Sequence, residues 1–164
     1  SSGMAISTMN ADSFIENAGD EINAYEKVNL KLYYANEDGT GLVEENRRNV
    51  VYNSNISLEK LVVEQLVKGP LMEGAYPTIN PSTKIISVSV KDGICYVNLG
   101  SDFLSQPNSV SAEVTIYSIT NSLVELSNVN KVQISIGGET NITYREKIDL
   151  NNLFERNLDL LVTP

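Results

Sequence analysis

Apolar and polar residues alternate most regularly in the stretch Ile85–Gly100, on both sides of the dipeptide Asp92-Gly93. Asp-Gly is typical of a two-residue hairpin turn, because both turn positions need a positive φ. The pattern therefore predicts two antiparallel strands around which the rest of the chain is organised. The expected cross-strand pairs of the apolar face are Val90 with Cys95, Val88 with Val97, and Ile86 with Leu99. A shift of one residue would turn that whole face toward water, so the alternation also sets the register.

Further strands are predicted before and after this hairpin. Val28–Tyr34 alternates between apolar and polar positions, which is typical of a half-buried strand. Leu42–Tyr52 is more highly charged and fits an edge strand or an excursion from the sheet. Lys131–Ile136 alternates again and ends at Gly137-Gly138. We expect the residues from 139 onward to fold back on the domain or to extend the edge of the sheet.

Two helices are predicted from apolar residues spaced three and four apart. Ser57 is suited to cap the first helix, which ends at Lys68 because Gly69 and Pro70 follow. The second helix covers roughly Ser111–Ser127. Its apolar stripe is expected to face the sheet and its polar stripe to face solvent. The residues of that polar stripe are Thr115, Ser118, Ser122 and Glu125.

The order of these elements is β-α-β-β-α-β, and each element has one apolar side. The predicted fold class is α+β: a two-layer sandwich with a mostly antiparallel sheet and both helices on one face. We interpret Ser1-Ser2-Gly3 as a tag scar and the rest of residues 1–27 as a polar linker or marginal helix. Residues 28–158 form the predicted domain, and residues 159–164 form a C-terminal tail.

Composition excludes several kinds of chemistry. The 164 residues include no His, no Trp and one Cys, so catalytic triads built on His and an intramolecular disulfide are impossible. Cys95 is expected on the inward face, where a free Cys behaves as a small hydrophobe. The net charge of −9 disfavours a nucleic-acid partner. The sequence has no apolar run long enough to predict a transmembrane helix.

Adjacent carboxylates occur at Asp20-Glu21, Glu37-Asp38 and Glu44-Glu45. Paired carboxylates can serve as the acid and base of a hydrolase when a cleft holds them about 5–10 Å apart. These pairs lie in turns, in an edge segment or near the N-terminus, where solvated charge is the simpler explanation. We therefore predict no catalytic residues, no metal site and no cofactor, and keep a carboxylate-based hydrolase as the weaker alternative.

The outward face of the predicted sheet is the surface that most favours a binding role. Tyr is enriched at protein interfaces, because its ring packs while its hydroxyl stays hydrated. The predicted partner-contact residues are Tyr33, Ile94, Tyr96, Lys131 and Gln133, with Lys31 and Lys91 nearby. The alternative is that the Leu42–Tyr52 segment or residues 139–164 cover these tyrosines.

The order and spacing of several segments resemble the GerMN domain family of sporulation and germination lipoproteins. The resemblance runs from about Val28 to Leu158. The matching segments are VNLKLYYAN (Val28–Asn36), LVKGP (Leu66–Pro70), INPSTKIISVSVKDGICYVNLGSDFL (Ile79–Leu104), ITNSLVELSNVNKVQISIGGE (Ile119–Glu139) and IDLNNLFERN (Ile148–Asn157). The element order is also similar to ring-building-motif and ferredoxin-like modules. One difference is Gly137-Gly138, where the family often has Asp-Gly; Gly suits the same turn, so only a function of that carboxylate is affected.

The resemblance implies a non-enzymatic module outside the cytoplasmic membrane of a Gram-positive bacterium, carried by a lipoprotein. It further implies a protein partner or self-association, and it supplies no catalytic residues to transfer to this chain. The membrane is expected to be reached only through an anchor outside this sequence. A peptidoglycan- or carbohydrate-binding module is the alternative, because Tyr76 beside Pro77 and the outward tyrosines can stack on sugars.

Overall fold

The computed structural model describes residues 16–18, 21–105 and 109–163, which belong to two compact units. Of the described residues, one unit contains 16–18, 21–30 and 47–57, and the other contains 31–46, 58–105 and 109–163. The strands are β1 (Glu16–Ala18), β2 (Glu21–Asn23), β3 (Tyr25–Ala35), β4 (Leu42–Asn53), β5 (Ile85–Lys91), β6 (Ile94–Leu99), β7 (Lys131–Ile136), β8 (Thr143–Tyr144) and β9 (Ile148–Asp149). The helices are α1 (Leu58–Lys68) and α2 (Ala112–Val124), and short 3-10 turns cover Ser101–Leu104 and Leu158–Leu160.

The smaller unit is built from strand pairs. β1 pairs antiparallel with β2, and the unit also contains residues 25–30 of β3 and 47–53 of β4, two strands that pair with each other. Beyond the end of β4, the Ser54 N–H donates to the Ala24 carbonyl at 3.0 Å. The marginal helix predicted within residues 1–27 is therefore replaced by strands at 16–18 and 21–23, because a short polar stretch offers too little apolar surface to stabilise a helix. Residues 1–15, 19 and 20 of that stretch lie outside the described residues.

The larger unit is centred on a three-stranded sheet with the order β5-β6-β7. β5 and β6 form the predicted hairpin, with Val90 opposite Cys95 and Val88 opposite Val97. β7 lies parallel to β6, because α2 carries the chain back to the same end of the sheet. The inward side chains of β6 and β7 are buried. They are Cys95, Val97, Leu99, Val132, Ile134 and Ile136.

One predicted pair of the hairpin is wrong. Leu99 faces Ile85 instead of Ile86, since the register shifts between Ile85 and Ser87. A β-bulge adds one residue to one strand and changes which residues face each side. Ile86 is the extra residue, and its side chain is 54% exposed instead of lying on the apolar face.

Both helices pack against this sheet and against each other. α1 ends as predicted, because Gly69 adopts a φ of 100° and its N–H donates to the Gln65 carbonyl at 3.1 Å. α2 begins at the cap residue Ser111, whose hydroxyl accepts from the Val114 N–H at 3.2 Å. The α+β class is thereby confirmed.

The predicted arrangement of strands differs from the structure in two respects. β3 pairs with β4 and is not a member of the β5-β6-β7 sheet. The sheet is mixed instead of mostly antiparallel, with one antiparallel and one parallel pair. The sequence pattern defines each strand's two faces, but it does not specify which strands become neighbours.

Three of the four residues in the predicted solvent-facing stripe of α2 are buried, and the fourth, Glu125, is partly exposed at the end of the helix. Thr115, Ser118 and Ser122 are all nearly inaccessible to solvent. The edge of β3 covers this stripe: the Ser118 hydroxyl donates to the Tyr33 carbonyl at 2.5 Å, and the Tyr33 N–H donates to Ser122 Oγ at 2.9 Å. These hydroxyls satisfy the backbone groups of Tyr33, which a neighbouring strand would otherwise satisfy.

Residues 139–163 belong to the larger unit and pack along the edges of its strands. β8 pairs with β9, and Phe154 forms two backbone hydrogen bonds with Val132 at the outer edge of β7. Leu161 then forms a parallel bridge with Leu42. This segment therefore extends the edge of the sheet and folds back on the domain, as expected.

Candidate functional site

Three rows of side chains form the outward side of the β5-β6-β7 sheet, which we call the open face. The rows follow the strand register and run from the hairpin turn toward the bulge. They are Lys91, Ile94 and Lys131; then Ser89, Tyr96 and Gln133; then Ser87, Asn98 and Ser135. Four of the five predicted contact residues thus lie together, two on β6 and two on β7.

Tyr96 lies at the centre of the open face with 37% of its surface exposed. Ile94, Lys131 and Gln133 are half-buried around it. Lys131 forms a long ion pair with Glu155 at 3.7 Å, and both side chains are well exposed, so this pair contributes little to stability. The face therefore offers the apolar side chain of Ile94 between the ammonium groups of Lys91 and Lys131, with the phenol of Tyr96 and the carboxamide of Gln133 in the next row.

The fifth predicted contact residue, Tyr33, does not belong to the open face. It lies in β3 and is only 2% exposed, because its ring and backbone pack against α2. Its hydroxyl donates to Glu125 Oε2 at 2.8 Å. Lys31 is likewise outside the β5-β6-β7 sheet and forms an ion pair with Glu44 at 3.7 Å. The prediction that these two residues face outward beside Tyr96 is wrong.

Tyr33, Glu125 and Arg156 form a charged hydrogen-bonded cluster. Arg156 Nη1 donates to Glu125 Oε2 at 2.9 Å, the same oxygen that accepts from Tyr33. Burial acts to raise the pKa of Glu125, but the hydrogen bonds from Arg156 and Tyr33 outweigh it and hold that pKa below its ordinary value. Burial, together with the bond to Glu125, raises the pKa of Tyr33 well above its ordinary value. The three side chains therefore link β3, the end of α2 and the C-terminal segment.

Two of the three pairs of adjacent carboxylates, Glu37-Asp38 and Glu44-Glu45, lie in the described part of the chain, where Asp38, Glu44 and Glu45 each make a separate local contact, while Asp20 lies outside the described residues. Glu45 is 4% exposed, and its carboxylate accepts the backbone N–H groups of Leu71 and Met72 at 3.1 Å. Its neighbour Glu44 forms the ion pair with Lys31. Asp38 accepts from the Thr40 hydroxyl at 2.6 Å within an exposed turn, and this bond lowers the pKa of Asp38. Each of these carboxylates has a local structural role.

Cys95 is buried on the inward side of the sheet, as predicted. Burial raises the pKa of its thiol to about 12, so the thiol stays protonated at neutral pH and is a poor nucleophile. Within residues 16–18, 21–105 and 109–163, no group of three or more Cys, Asp or Glu side chains is placed to hold a metal ion. Neither α1 nor α2 is long and apolar enough to cross a membrane, and the described part of the chain has no other candidate.

The sequence interpretation missed one member of the open face, Lys84. Because the bulge at Ile86 shifts the register, Ile85 faces inward and Lys84 faces outward. A Cβ atom placed on Gly100, opposite Lys84, would lie 3.4 Å from the Lys84 Cβ, which agrees with this placement. The signal was present in the sequence, since the two consecutive isoleucines at 85 and 86 interrupt an otherwise regular alternation.

The fold and the open face together define a class: an α+β module with a mixed three-stranded sheet whose outer side displays hydroxyl, amide and ammonium groups. The chain belongs to the Germane family, described as sporulation and spore germination, whose model matches residues 31–142. This match confirms the resemblance inferred from the sequence segments.

Solved structures share the fold. Tandem GerMN domains of the sporulation protein GerM from Bacillus subtilis match with a TM-score of 0.66 and 21% identity over 87% of this chain and 53% of that chain. The first GerMN domain of the same protein matches with a TM-score of 0.57 and 21% identity over 68% of this chain and 84% of that one. A putative lipoprotein from Clostridium perfringens matches with a TM-score of 0.51 and 20% identity, covering 79% of this chain and 87% of that one.

The chain spans about half the length of the tandem-domain structure that it matches, 53%. A search of curated proteins found no match. At identities near 20%, the solved structures establish the common fold, while the family match places the chain among sporulation and germination proteins.

Proposed function

We propose that this chain is a non-enzymatic interaction module that binds a protein partner, or a second copy of itself, through the open face. The observation that carries the proposal is the grouping of Ile94, Tyr96, Lys131 and Gln133 on one exposed sheet surface. Interfaces are enriched in Tyr, and anchoring side chains lie near the centre of the contact area. Tyr96 has that position here.

The proposal includes a location on the outer side of the cytoplasmic membrane of a Gram-positive bacterium, in sporulation or germination. The family description supports the process, and the name of the Clostridium perfringens structure supports a lipoprotein. In this proposal the membrane is reached through a lipid anchor, and the folded module faces its partner in the space outside.

The non-enzymatic part of the proposal is supported by the roles of the candidate acids. Glu45 is engaged by two backbone N–H groups, Glu44 by Lys31 and Glu125 by Tyr33 and Arg156. A general acid or base must be able to reach substrate and exchange a proton with it. These carboxylates are already committed to contacts that hold the fold.

Cell-wall binding is the second candidate. Tyr76 is 41% exposed and lies beside the exposed Pro77, and Tyr96 is exposed as well, so two aromatic rings are accessible for stacking on sugars. Co-sedimentation with purified peptidoglycan tests this candidate: saturable retention that Tyr76→Ala abolishes would support it, and recovery entirely in the supernatant would remove it.

The protein-binding proposal is tested by comparing wild type with Ile94→Ala/Tyr96→Ala. Tyr76→Ala is the matched control, because Tyr76 has nearly the same exposure as Tyr96 but lies outside the sheet. We expect light scattering over a hundredfold concentration range, or co-purification from solubilised envelopes of the host, to reveal a complex that the double variant loses and the control keeps. Equal recovery by all three proteins, together with a monomer at every concentration, would contradict the proposal.

A further inference from the structure

The outer edge of β5 presents unused backbone hydrogen-bonding groups. Asp92 and Gly93 have φ of 54° and 80°, so a two-residue turn joins β5 to β6. In such a turn Lys91 and Ile94 are hydrogen-bonded to each other, and bonded and non-bonded pairs then alternate along the hairpin. The backbone N–H and C=O groups of Val88 and Val90 consequently point away from β6. No residue in the described part of the chain bonds to them.

The opposite edge of the sheet, on β7, has backbone partners from the chain itself. On β7, the N–H and C=O groups of Val132 are bonded to Phe154 at 2.9 and 2.8 Å, and Ile136 is bridged to Glu139. The chain's own C-terminal segment therefore covers that edge. An open edge usually carries proline, charged side chains such as lysines, a bulge or an inward charge that disfavours pairing with another strand. On β5, Lys84 and Lys91 stand at the ends and leave residues 87–90 between them free of such devices. β5 has its bulge near one end, so Ser87–Lys91 remains a regular strand that can pair.

Two lysines mark the ends of this open edge. The bulge places Lys84 on the same side of the sheet as Lys91, and both side chains are exposed. Neither has an ion-pair partner within the ranges that the structure describes. They are seven residues apart in the sequence but six strand positions apart once the extra residue of the bulge is discounted, which is about 20 Å at a rise of about 3.3 Å per position. In a chain of net charge −9, two unpaired cations at the ends of an open strand favour an anionic ligand.

We propose that β5 accepts an extended acidic segment of a partner protein as a fourth strand of the sheet. The segment bonds to the backbone of Val88 and Val90, and carboxylates about six residues apart pair with Lys84 and Lys91. Its alternate side chains face the helix layer beside Val88 and Val90, so they are apolar. The inference rests on the proposed function, since it takes the chain to be a protein-binding module, and it adds the chemistry of the partner.

The probe for this proposal is the capped peptide acetyl-Glu-Val-Thr-Val-Thr-Val-Glu-amide. We expect it to bind the wild-type protein and to slow amide hydrogen exchange at Val88 and Val90 at least tenfold. Lys84→Glu/Lys91→Glu should weaken binding at least tenfold. Lys27→Glu/Lys147→Glu, which changes two exposed lysines by the same total charge, should change the affinity less than twofold. Circular dichroism and urea unfolding verify that both double variants are folded.

Several results would overturn the inference. One is a lysine-ended peptide that binds as well as the acidic one, and another is binding without protection of Val88 and Val90. Amides of Val88 and Val90 that are already protected in the protein alone would also overturn it, because the edge would then be occupied by the chain's own residues or by a second copy. If the peptide fails while the Ile94/Tyr96 variant still loses its partner, the edge inference falls and the proposed function stands. If the peptide does not bind and the Ile94/Tyr96 variant does not lose a partner, both the edge inference and the proposed function are contradicted.

Discussion

Two serines of α2 form the hydrogen bonds to the Tyr33 backbone that a neighbouring strand would otherwise form. Ser118 and Ser122 lie one helical turn apart, so both hydroxyls reach the same residue of β3. Thr115 adds a bond to the Thr78 carbonyl at 2.8 Å. A helix that would otherwise show a polar side to solvent is thereby buried almost completely.

Ser122→Ala should destabilise the fold, because it leaves the buried N–H of Tyr33 without an acceptor. An unsatisfied buried donor costs about 1–3 kcal/mol, and the better helix propensity of Ala offsets up to about 0.5 kcal/mol of this. Urea unfolding should show a loss of about 1–2 kcal/mol. Ser89→Ala, at an exposed position of β5, serves as the control and should stay within about 0.5 kcal/mol. Equal stabilities for the two variants would contradict the bonding scheme.

Glu125 gives the fold a dependence on acid pH. Its pKa is lower in the folded protein than in the unfolded chain, so its contribution is present above the unfolded value of about 4.3 and is lost as the pH falls through the folded value. At pH 7, Glu125→Gln should reduce the free energy of unfolding by about 1 kcal/mol, discounted for partial exposure.

The difference between wild type and Glu125→Gln should shrink when the unfolding measurement is repeated at pH 3. Glu146→Gln changes an exposed glutamate and should differ from wild type by less than about 0.5 kcal/mol at pH 7. A difference between wild type and Glu125→Gln that is the same at both pH values would refute the role assigned to the Tyr33–Glu125–Arg156 cluster.

At the scale of elements, the turn between β3 and β4 is fitted closely to the start of α2. Gly39 has a φ of 76°, and its carbonyl accepts from the Ser111 N–H at 2.9 Å. A Cβ at this position would lie 2.7 Å from the Ser109 carbonyl oxygen. The Asn36 side chain closes the turn, since its Oδ1 accepts from the N–H groups of Thr40 and Gly41 at 3.0 Å.

Gly39→Ala should destabilise the fold more than Gly137→Ala does. Both glycines have positive φ, and an L-residue there costs about 1–2 kcal/mol. Only Gly39 also has backbone atoms within 3 Å of the added methyl group, and such overpacking costs roughly 1–3 kcal/mol more. Thermal and urea unfolding of the two variants measure this difference. Equal losses of stability for the two variants would show that the turn relaxes to accommodate the added methyl group.

The local patterns were sufficient for the hairpin turn, the capped end of α1 and the inward faces of β6 and β7. These features depend on neighbouring residues, such as Asp92-Gly93 and Gly69-Pro70. The burial of Tyr33 could not be predicted in the same way. Its strand is covered on both sides, since Tyr34, facing the other way, donates to the Gln65 carbonyl at 2.8 Å. Alternation distinguishes two faces of a strand, but it does not show that both become buried.

Alternation also explains why only part of the candidate site could be predicted from the sequence. Ile94, Tyr96, Lys131 and Gln133 lie in adjacent strands whose outward positions follow from the alternation. Lys84 lies beside these residues only because of the bulge at Ile86. Tyr33 does not lie beside them, because α2 covers β3. The packing of α2 on β3 is a long-range contact that a single sequence does not record, whereas the bulge is marked in the sequence by the consecutive isoleucines at 85 and 86.

At the scale of the whole molecule, the distribution of charge distinguishes the open face from the rest of the chain. The chain carries 21 acidic and 12 basic residues, yet three lysines lie on the open face, Lys84, Lys91 and Lys131, and of these only Lys131 is paired with a carboxylate of the described residues, that of Glu155. Such a local excess of cations favours encounter with an acidic partner and weakens as salt rises. The open face is therefore the proposed binding surface of the module.

The measurement that tests this claim most directly is site-specific photo-crosslinking in host cells that produce the full-length protein. The photoreactive residue p-benzoylphenylalanine replaces Tyr96 in one strain and Tyr76 in the other, two positions of nearly equal exposure. We expect a discrete cross-linked protein at position 96 that is missing at position 76. No cross-link at position 96, or the same products at both positions, would contradict it.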